Sequence, residues 1–381
     1  MGELILPGKT IGIIGGGQLG KMLSVAAQTL GYRVIVWSEE SDCPACNVAT
    51  STVVGSFSDQ RALNQFVEVV DVATVETEHI PITTLRNVSK FIPLYPDPEV
   101  IAIAQNRRNE KGWLAERNFP VAPFLNVWSV EEVINFHQKT ADEVVVKTIT
   151  GGYDGKGQMR LSAKKITEKE IVQIQEWLKR YDELVIETWL QIKGEFSVIA
   201  ARNKRGSFVP FPVVENEHKD HILHRTIAPA RLDKKIVDKA ISLTKEIMEQ
   251  MDYVGLLCVE FFQDQNGEVY INELAPRPHN SGHYTLDIAV TSQFEQTIRA
   301  ITGLPLGDTR ILSSGVMVNL LGDLWEKDFQ VEKILSESST KLHLYGKKEA
   351  RPKRKMGHFT TIANTVDLAI EKAEKLYKSL S

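Results

Sequence analysis

The chain is poor in what several protein classes require. Only three cysteines occur in 381 residues, Cys43, Cys46 and Cys258. A count that is low and odd excludes a disulfide-built secreted module and fits a reducing compartment. Cys43-Pro-Ala-Cys46 is formally a CxxC, but no second pair exists to complete a zinc site, so it reads as a loop after the second strand. No apolar run approaches the roughly 18 residues that a membrane span needs. The start, MGELILPGKT, has neither the basic segment nor the apolar core of a signal peptide, and Leu6 breaks the myristoylation pattern. The expectation is a cytoplasmic protein with no membrane partner. Positive charge is not in excess either: 45 Lys and Arg stand against 49 Asp and Glu, for a net charge of −4. That argues against nucleic acid as a partner. Repeats and low-complexity tracts are absent. What remains is a chain that is 43% hydrophobic and long enough for two or three domains with real cores.

The first hundred residues alternate strand and helix. Thr10–Ile14, Arg33–Trp37, Asp71–Val75 and Phe91–Tyr95 read as strands, with a helix after Gly20 that Gly31 stops. Such alternation implies βαβ units around a parallel sheet. Pro93, Pro96 and Pro98 mark an exit from that unit. Further on, helices are expected at 106–118, 168–180, 236–251, 294–301 and 367–380. Strands are expected at 144–148, 184–187, 194–201, 208–214, 315–320 and 342–344. The fold class is mixed α/β and α+β.

One segment, Leu256 to His283, carries the strongest chemical signal. Asn266-Gly267 between two apolar runs predicts a two-residue hairpin loop, because both loop positions need φ > 0. That loop sets Glu260 directly opposite Glu273. Facing carboxylates repel, a cost accepted where a hard cation sits between them; Mg²⁺ held by one or two carboxylates plus substrate phosphates is the common arrangement.

Two glycine-rich segments follow strands. Gly15-x-Gly17-x-x-Gly20 opens a helix, the context of a dinucleotide fingerprint, with Glu39 about where a ribose-binding acid would stand. Gln18 adds a polar side chain suited to a polar small ligand. Lys147 to Gln158 is more specific: a strand ends at Lys147, and four glycines then fall within seven residues. A loop of this kind can cover phosphates with backbone N–H groups. Glu187-Thr-Trp-Leu190 and Glu195 are the residue types that read an adenine and a ribose. Near the C-terminus, six of the fourteen residues from Tyr345 to His358 are Lys or Arg. Gly and Pro among them suggest an ordered loop that grips a phosphorylated small molecule.

Taken together, the strand lysine with its glycine loop, the acid-bearing linker and the Glu…Asn-Glu pair resemble the ATP-grasp family. The segments GGGQLGKM, ETEH, GGYDGKGQ, GEFSVIAAR, ENEH, NELAPRPHNSGHYT and LYGKKEARPKRKMGH carry the likeness to the family's carboxylating ribonucleotide ligases, from Gly15 to His358. The resemblance implies a Rossmann-like unit (1–105), an ATP-grasp module (106–305) and a C-terminal cap (306–381). It implies ATP-dependent carboxylation of 5-aminoimidazole ribonucleotide by bicarbonate through carboxyphosphate, with Mg²⁺ or Mn²⁺, in a homodimer. For ATP it implies Arg107, Lys147, the loop Gly152, Tyr153, Asp154, Gly155, Lys156, Gly157 and Gln158, the linker Glu187, Thr188, Trp189 and Leu190, then Glu195, His218 and Asn272. For metal it implies Glu260 and Glu273, and for charge stabilisation Arg277, with Asn280 beside it. For the ribonucleotide it implies Gln18, Leu19, Glu76, Glu78, Tyr153, Asp154, Lys156, Ser281, Arg351, Lys353 and Arg354. Another ATP-grasp ligase would share the ATP residues but not the Gln18 turn or the basic C-terminal segment. An NAD-linked oxidoreductase would use Gly15–Gly20 and leave the acid pair and second glycine loop unexplained.

Overall fold

The computed structural model describes residues 4–152, 156–326 and 329–380. Three sheets organise them. The first is five-stranded and wholly parallel, in the order Ser51–Val54, Arg33–Ser38, Thr10–Ile14, Val72–Val75, Leu94–Tyr95. Its strands read as continuous apolar runs because both faces are covered; Ile11, Ile13, Val34, Val36 and Val72 are all fully buried. The order reverses between Thr10–Ile14 and Val72–Val75, and the crevice beyond the carboxyl ends of these two neighbours is where such sheets bind ligands.

The second sheet has four antiparallel strands, ordered Phe124–Val127, Leu184–Thr188, Val144–Thr148, Gln158–Leu161. The helices Val130–Thr140 and Glu168–Tyr181 supply apolar residues to its core, and both begin with complete capping boxes, Ser129/Glu132 and Thr167/Glu170. The third sheet is nine-stranded and antiparallel, running from the hairpin Gly255–Asp264/Val269–Ala275 through Ile192–Arg202, Val214–Lys219 and Ile222–Ala228 to Ser314–Leu321, Lys355–Ala363 and Thr340–Leu344, with Phe208–Pro210 paired to Ile192–Arg202 off this path. The helix Gln293–Thr302 ties it to the parallel unit: Phe294, Ile298 and Ile301 share one core with Leu19, Leu23 and Ala27 of helix Gln18–Thr29. Among the described residues, no helix is long and apolar enough to cross a membrane.

Several expectations are corrected. The Asn266-Gly267 hairpin does not have a two-residue loop. Asp264 N–H donates to the Glu268 carbonyl at 3.0 Å, and only Gly267 of the loop residues has φ > 0. This is the three-residue loop with glycine in the left-handed position. By itself it would put Glu260 opposite Asn272. A β-bulge between Glu260 and Phe261 of one strand and Ile271 and Glu273 of the other adds a residue and restores Glu260 opposite Glu273. The two-residue loop with positive φ instead falls at Asp220-His221, without glycine, between the paired residues Lys219 and Ile222. The 208–214 strand is two strands, broken around Pro212, and Phe91–Tyr95 shortens to Leu94–Tyr95. The expected loop ending at His358 gives way at Lys355 to a strand that pairs on both sides. Cys43 and Cys46, read from the sequence as part of a loop after the second strand in a protein of a reducing compartment, do lie in that loop but form a disulfide there: the turn brings their Cα atoms to 5.0 Å.

Candidate active site

A cavity of about 690 Å³ opens where the three sheets meet. At one end stand the carboxyl ends of Thr10–Ile14 and Val72–Val75, which contribute Gly17, Gln18 and Leu19 from one strand's exit and Glu76 to His79 from the other's. The helix Gln18–Thr29 has no side-chain cap of its own. Glu76 supplies one from across the turn, accepting from Gly17 N at 3.0 Å and Gly20 N at 3.2 Å. The anion position at a helix N-terminus is therefore filled by the protein's own carboxylate. A Cβ at Gly17 would lie 2.7 Å from both Glu76 oxygens. This geometry leaves no room there for a dinucleotide's pyrophosphate, which removes the basis of the oxidoreductase alternative. Glu39 is exposed and accepts from Phe57 N instead.

At the other end lies the second glycine loop. Arg107, on helix Arg107–Glu116, donates to the carbonyls of Thr148 and Gly152, holding the first half of the loop where it leaves its strand. Lys147, at the end of its strand, is buried with Nζ 2.9 Å from Glu187 Oε2; Lys111 reaches the same oxygen at 3.4 Å. Burial pushes the Lys147 amine down to about 8 against the pull of Glu187. Burial would raise the Glu187 carboxyl, but Lys111 and Lys147 outweigh it and hold it at about 2. Two buried lysines around one carboxylate leave a net positive charge here, where an anion would lie. Lys156 and Gln158 line the same end, as do Thr188, Trp189 and Leu190. Arg160 stacks over the Trp189 ring at 4.3 Å and fixes the linker from outside.

The nine-stranded sheet forms the floor. Glu195 and Glu260 sit on adjacent strands, opposite Phe262 and Ser197 respectively, so residues two apart share the cavity face. Glu273 faces Glu260, and the bulge brings its sequence neighbour Asn272 into the lining as well. Burial, then Glu273, raises the Glu260 carboxyl. His218 Nδ1 lies 2.8 Å from Glu195 Oε2; burial disfavours its charged form, but Glu195 outweighs burial and raises it. Arg277 grips Glu78 through Nε and through Nη2, the latter at 2.8 Å. Burial opposes both charges, yet the pairing holds Glu78 at about 2 and keeps Arg277 charged.

Of the residues expected at the site, the cavity brings together Gln18, Leu19, Glu76, Glu78, Arg107, Lys147, Gly152, Lys156, Gln158, the linker 187–190, Glu195, His218, Glu260, Asn272, Glu273, Arg277 and Asn280. Tyr153, Asp154 and Gly155 lie outside the described residues. Ser281 is fully buried behind the wall, bonded to His279 and Ser197, and Gly157 packs against Thr148. Arg351, Lys353 and Arg354 are exposed and do not line the cavity; Arg351 pairs with Glu349, and Arg354 donates to the Glu349 carbonyl. Lys355 lines it instead, because the strand that begins there runs back across the sheet. Sequence reasoning missed Glu110, Lys111 and His279. Burial, then Glu273, pushes Glu110 up to about 8, while its Oε1 accepts from Leu274 N at 2.6 Å beside the acid pair. His279 Nε2 lies 3.3 Å from Glu260 Oε1. Only the PRPHNSGH segment hinted at the last of these.

Residues 113–294 match the ATP-grasp domain, 8–105 the ribonucleotide synthetase preATP-grasp domain and 315–372 the phosphoribosylaminoimidazole carboxylase C-terminal domain. The N5-carboxyaminoimidazole ribonucleotide synthase of Bacillus subtilis (strain 168) is 41% identical over 365 residues, covering 96% of this chain and 94% of that protein. The crystal structure of an N5-carboxyaminoimidazole ribonucleotide synthetase in complex with ADP aligns with a TM-score of 0.93 at 41% identity, over 99% of this chain and 98% of the other. The Aspergillus clavatus synthase, solved with ADP and 5-aminoimidazole ribonucleotide, aligns at 0.89 and 29% identity over 98% of each. The chain belongs to the N5-carboxyaminoimidazole ribonucleotide synthase family of ATP-grasp enzymes.

Proposed function

We propose that this chain carboxylates 5-aminoimidazole ribonucleotide with bicarbonate, using ATP and releasing ADP and phosphate, in purine biosynthesis. The observation that carries the reading is one cavity with two chemically different ends. The Lys147–Glu187–Lys111 cluster, the Arg107-held loop and the Glu260–Glu273 pair stand at one, and the Gln18 turn at the other. In the solved structure of the Aspergillus clavatus synthase the bound molecules are ADP and 5-aminoimidazole ribonucleotide.

In this reading Arg107, Lys147 and the 151–157 loop receive the ATP phosphates. The linker 187–190 reads adenine, and Glu195, held by His218, binds ribose. The donor set of Glu260, Glu273 and Asn272 is all oxygen on one face, which fits Mg²⁺, with Mn²⁺ as the alternative. When bound, the ion would neutralise phosphate charge as the γ-phosphoryl transfers. A bicarbonate oxygen bonds to the γ-phosphorus while the bond to the β–γ bridging oxygen breaks, giving ADP and carboxyphosphate. Arg277, aimed by Glu78, stabilises the charge of that intermediate. The ribonucleotide's exocyclic amine then attacks the carboxyl carbon, phosphate leaves and the amine loses a proton. Gln18, Leu19, Glu76 and Lys355 support a ribonucleotide seat at the switch point. We assign unit boundaries at residues 1–105, 106–305 and 306–381, a homodimeric assembly and a cytoplasmic location to the same reading.

An ADP-release assay tests it. Turnover should require bicarbonate together with 5-aminoimidazole ribonucleotide. Turnover driven by glycine with phosphoribosylamine, or by biotin, would retain the ATP end and overturn the substrate.

A further inference from the structure

The C-terminal strand pair carries a second group of ligand-type side chains that the carboxylation chemistry leaves unused. Strands Thr340–Leu344 and Lys355–Ala363 pair antiparallel with His343 directly opposite His358. Opposed residues on a ladder place their side chains on one face, close together; the two imidazole centroids are 4.6 Å apart. Asp287, from the helical turn Thr285–Ile288, meets this pair from the ATP-grasp side. Its Oδ1 and Oδ2 lie 2.9 and 3.2 Å from His343 Nε2. One ligand atom from each of the three falls within 4.8 Å of the others.

A second observation points to a ligand. His358 is fully buried, and among the described residues its Nε2 has no hydrogen-bond partner. An orphaned buried polar atom is costly and calls for an explanation. Its other ring nitrogen, Nδ1, lies 3.0 Å from the Tyr345 hydroxyl. That is how a metal-ligating imidazole is commonly held: one nitrogen anchored to an outer partner, the other turned to the ion. Access runs from one side only, since the Asp287 side chain is 5% exposed and that of His343 is 32% exposed.

We propose that Asp287, His343 and His358 form a binding site for a zinc-class divalent ion, separate from the Glu260–Glu273 pair. Two imidazoles and one carboxylate suit a borderline transition metal, whereas Mg²⁺ prefers oxygen ligands throughout. The ion takes the place of the shared proton between His343 and Asp287. Ligand bonds of about 2.0–2.2 Å require that contact to lengthen only slightly. The His343 and His358 rings are nearly parallel, at 16°, so His343 turns out of the stack to aim at the same point, and its exposure leaves room for that turn. A water completes the shell on the open side. The bound ion would pin the strand that begins with Lys355, a cavity residue, to the turn that follows the His279–His283 segment.

The test is titration of metal-stripped protein with Co²⁺ in excess Mg²⁺, followed by visible absorption and by thermal melting. Wild type should bind one equivalent with d–d bands of an N/O site, lose them to competing Zn²⁺ and melt higher as Zn²⁺ is raised. His343→Gln and Asp287→Asn should each weaken binding at least tenfold, while Glu273→Gln should leave it unchanged. Absence of the bands in wild type overturns the site. So does equal affinity in wild type and His343→Gln, a variant whose half-buried position and polar replacement should leave folding intact and which decides the matter alone if Asp287→Asn does not fold.

Discussion

Two glycine-rich turns lie at opposite ends of one cavity and have opposite electrostatic fates. In Gly15–Gly20 the helix N-terminus is neutralised internally, because Glu76 accepts from Gly17 and Gly20. In the 151–157 segment the described residues face Arg107 and Lys147, and Glu187, the acid between the lysines, is shared with Lys111. The first turn resembles a nucleotide fingerprint and holds a carboxylate; the second carries the positive field. Glycines permit a backbone shape, but what lies opposite that shape decides which ligand it takes.

The largest expected effect separates the two ends functionally. Glu273→Gln keeps shape and removes a like-charge repulsion from Glu260, so the fold should persist. ADP release should nonetheless drop by orders of magnitude, on the order of 10²-fold or more, as the metal end loses a charged ligand. Ribonucleotide binding, followed by calorimetry, should survive at the far end. Normal turnover at millimolar magnesium would break the division.

Next in size is a stability contrast between glycines. At Gly17 an added methyl meets both Glu76 oxygens, whereas at Gly151 it meets no atom of the described residues within 4 Å. Gly17→Ala should cost about 2–3 kcal/mol through lost capping and displaced Glu76. Gly151→Ala should cost only its left-handed strain (φ +73), about 1–2 kcal/mol. Urea melts showing equal costs would mean that Glu76 does not close the first turn.

A pH profile sharpens the charged end. Lys147 is pushed down to about 8, so its cation is present below that pH and lost above it. KM for ATP should rise above pH 8 by up to about tenfold per unit, and Lys147→Met should flatten that rise. For stability the sign is opposite: between about 8 and the ordinary value of 10.5 the unfolded chain holds the proton and the folded chain does not. The contribution of this group therefore grows more favourable as pH climbs through that window. A profile unchanged in Lys147→Met would assign the titration elsewhere.

The smallest effect concerns the basic C-terminal segment. Lys355 lines the cavity; Arg351 and Arg354 are exposed and do not. Lys355→Ala should raise KM for 5-aminoimidazole ribonucleotide about tenfold, as expected for one charge-assisted hydrogen bond, with Arg351→Ala near wild type. The reverse order would return the phosphate grip to the arginines.

Legibility followed locality. The parallel unit was readable because strand, glycine turn and helix succeed one another within a few residues, and its βαβ pattern has few alternatives. The facing acids were readable too, but through two compensating departures: a three-residue loop and a bulge beside Asn272 shift the register in opposite senses. Apolar patterning on a sheet with a buried face enforces such a register whichever loop closes it. Lys111 was not readable. On sequence it belongs to a charged stretch, RRNEKGWLAE, yet it is 1% exposed against Glu187.

By itself, the sequence determined where the chain turns, which strands are buried on both faces, and which residue types could serve phosphate, adenine and metal. These follow from backbone freedom at glycine, apolar periodicity and the charge of single side chains. Only the tertiary structure decided that Glu76 fills the first turn, that Lys111 and Lys147 share Glu187, and that Lys355 rather than Arg351 reaches the cavity. Glu76 and Gly17 are 59 positions apart. Whether a charge is buried, and against which partner, depends on how segments that far apart pack, and burial is what converts an ordinary side chain into a site.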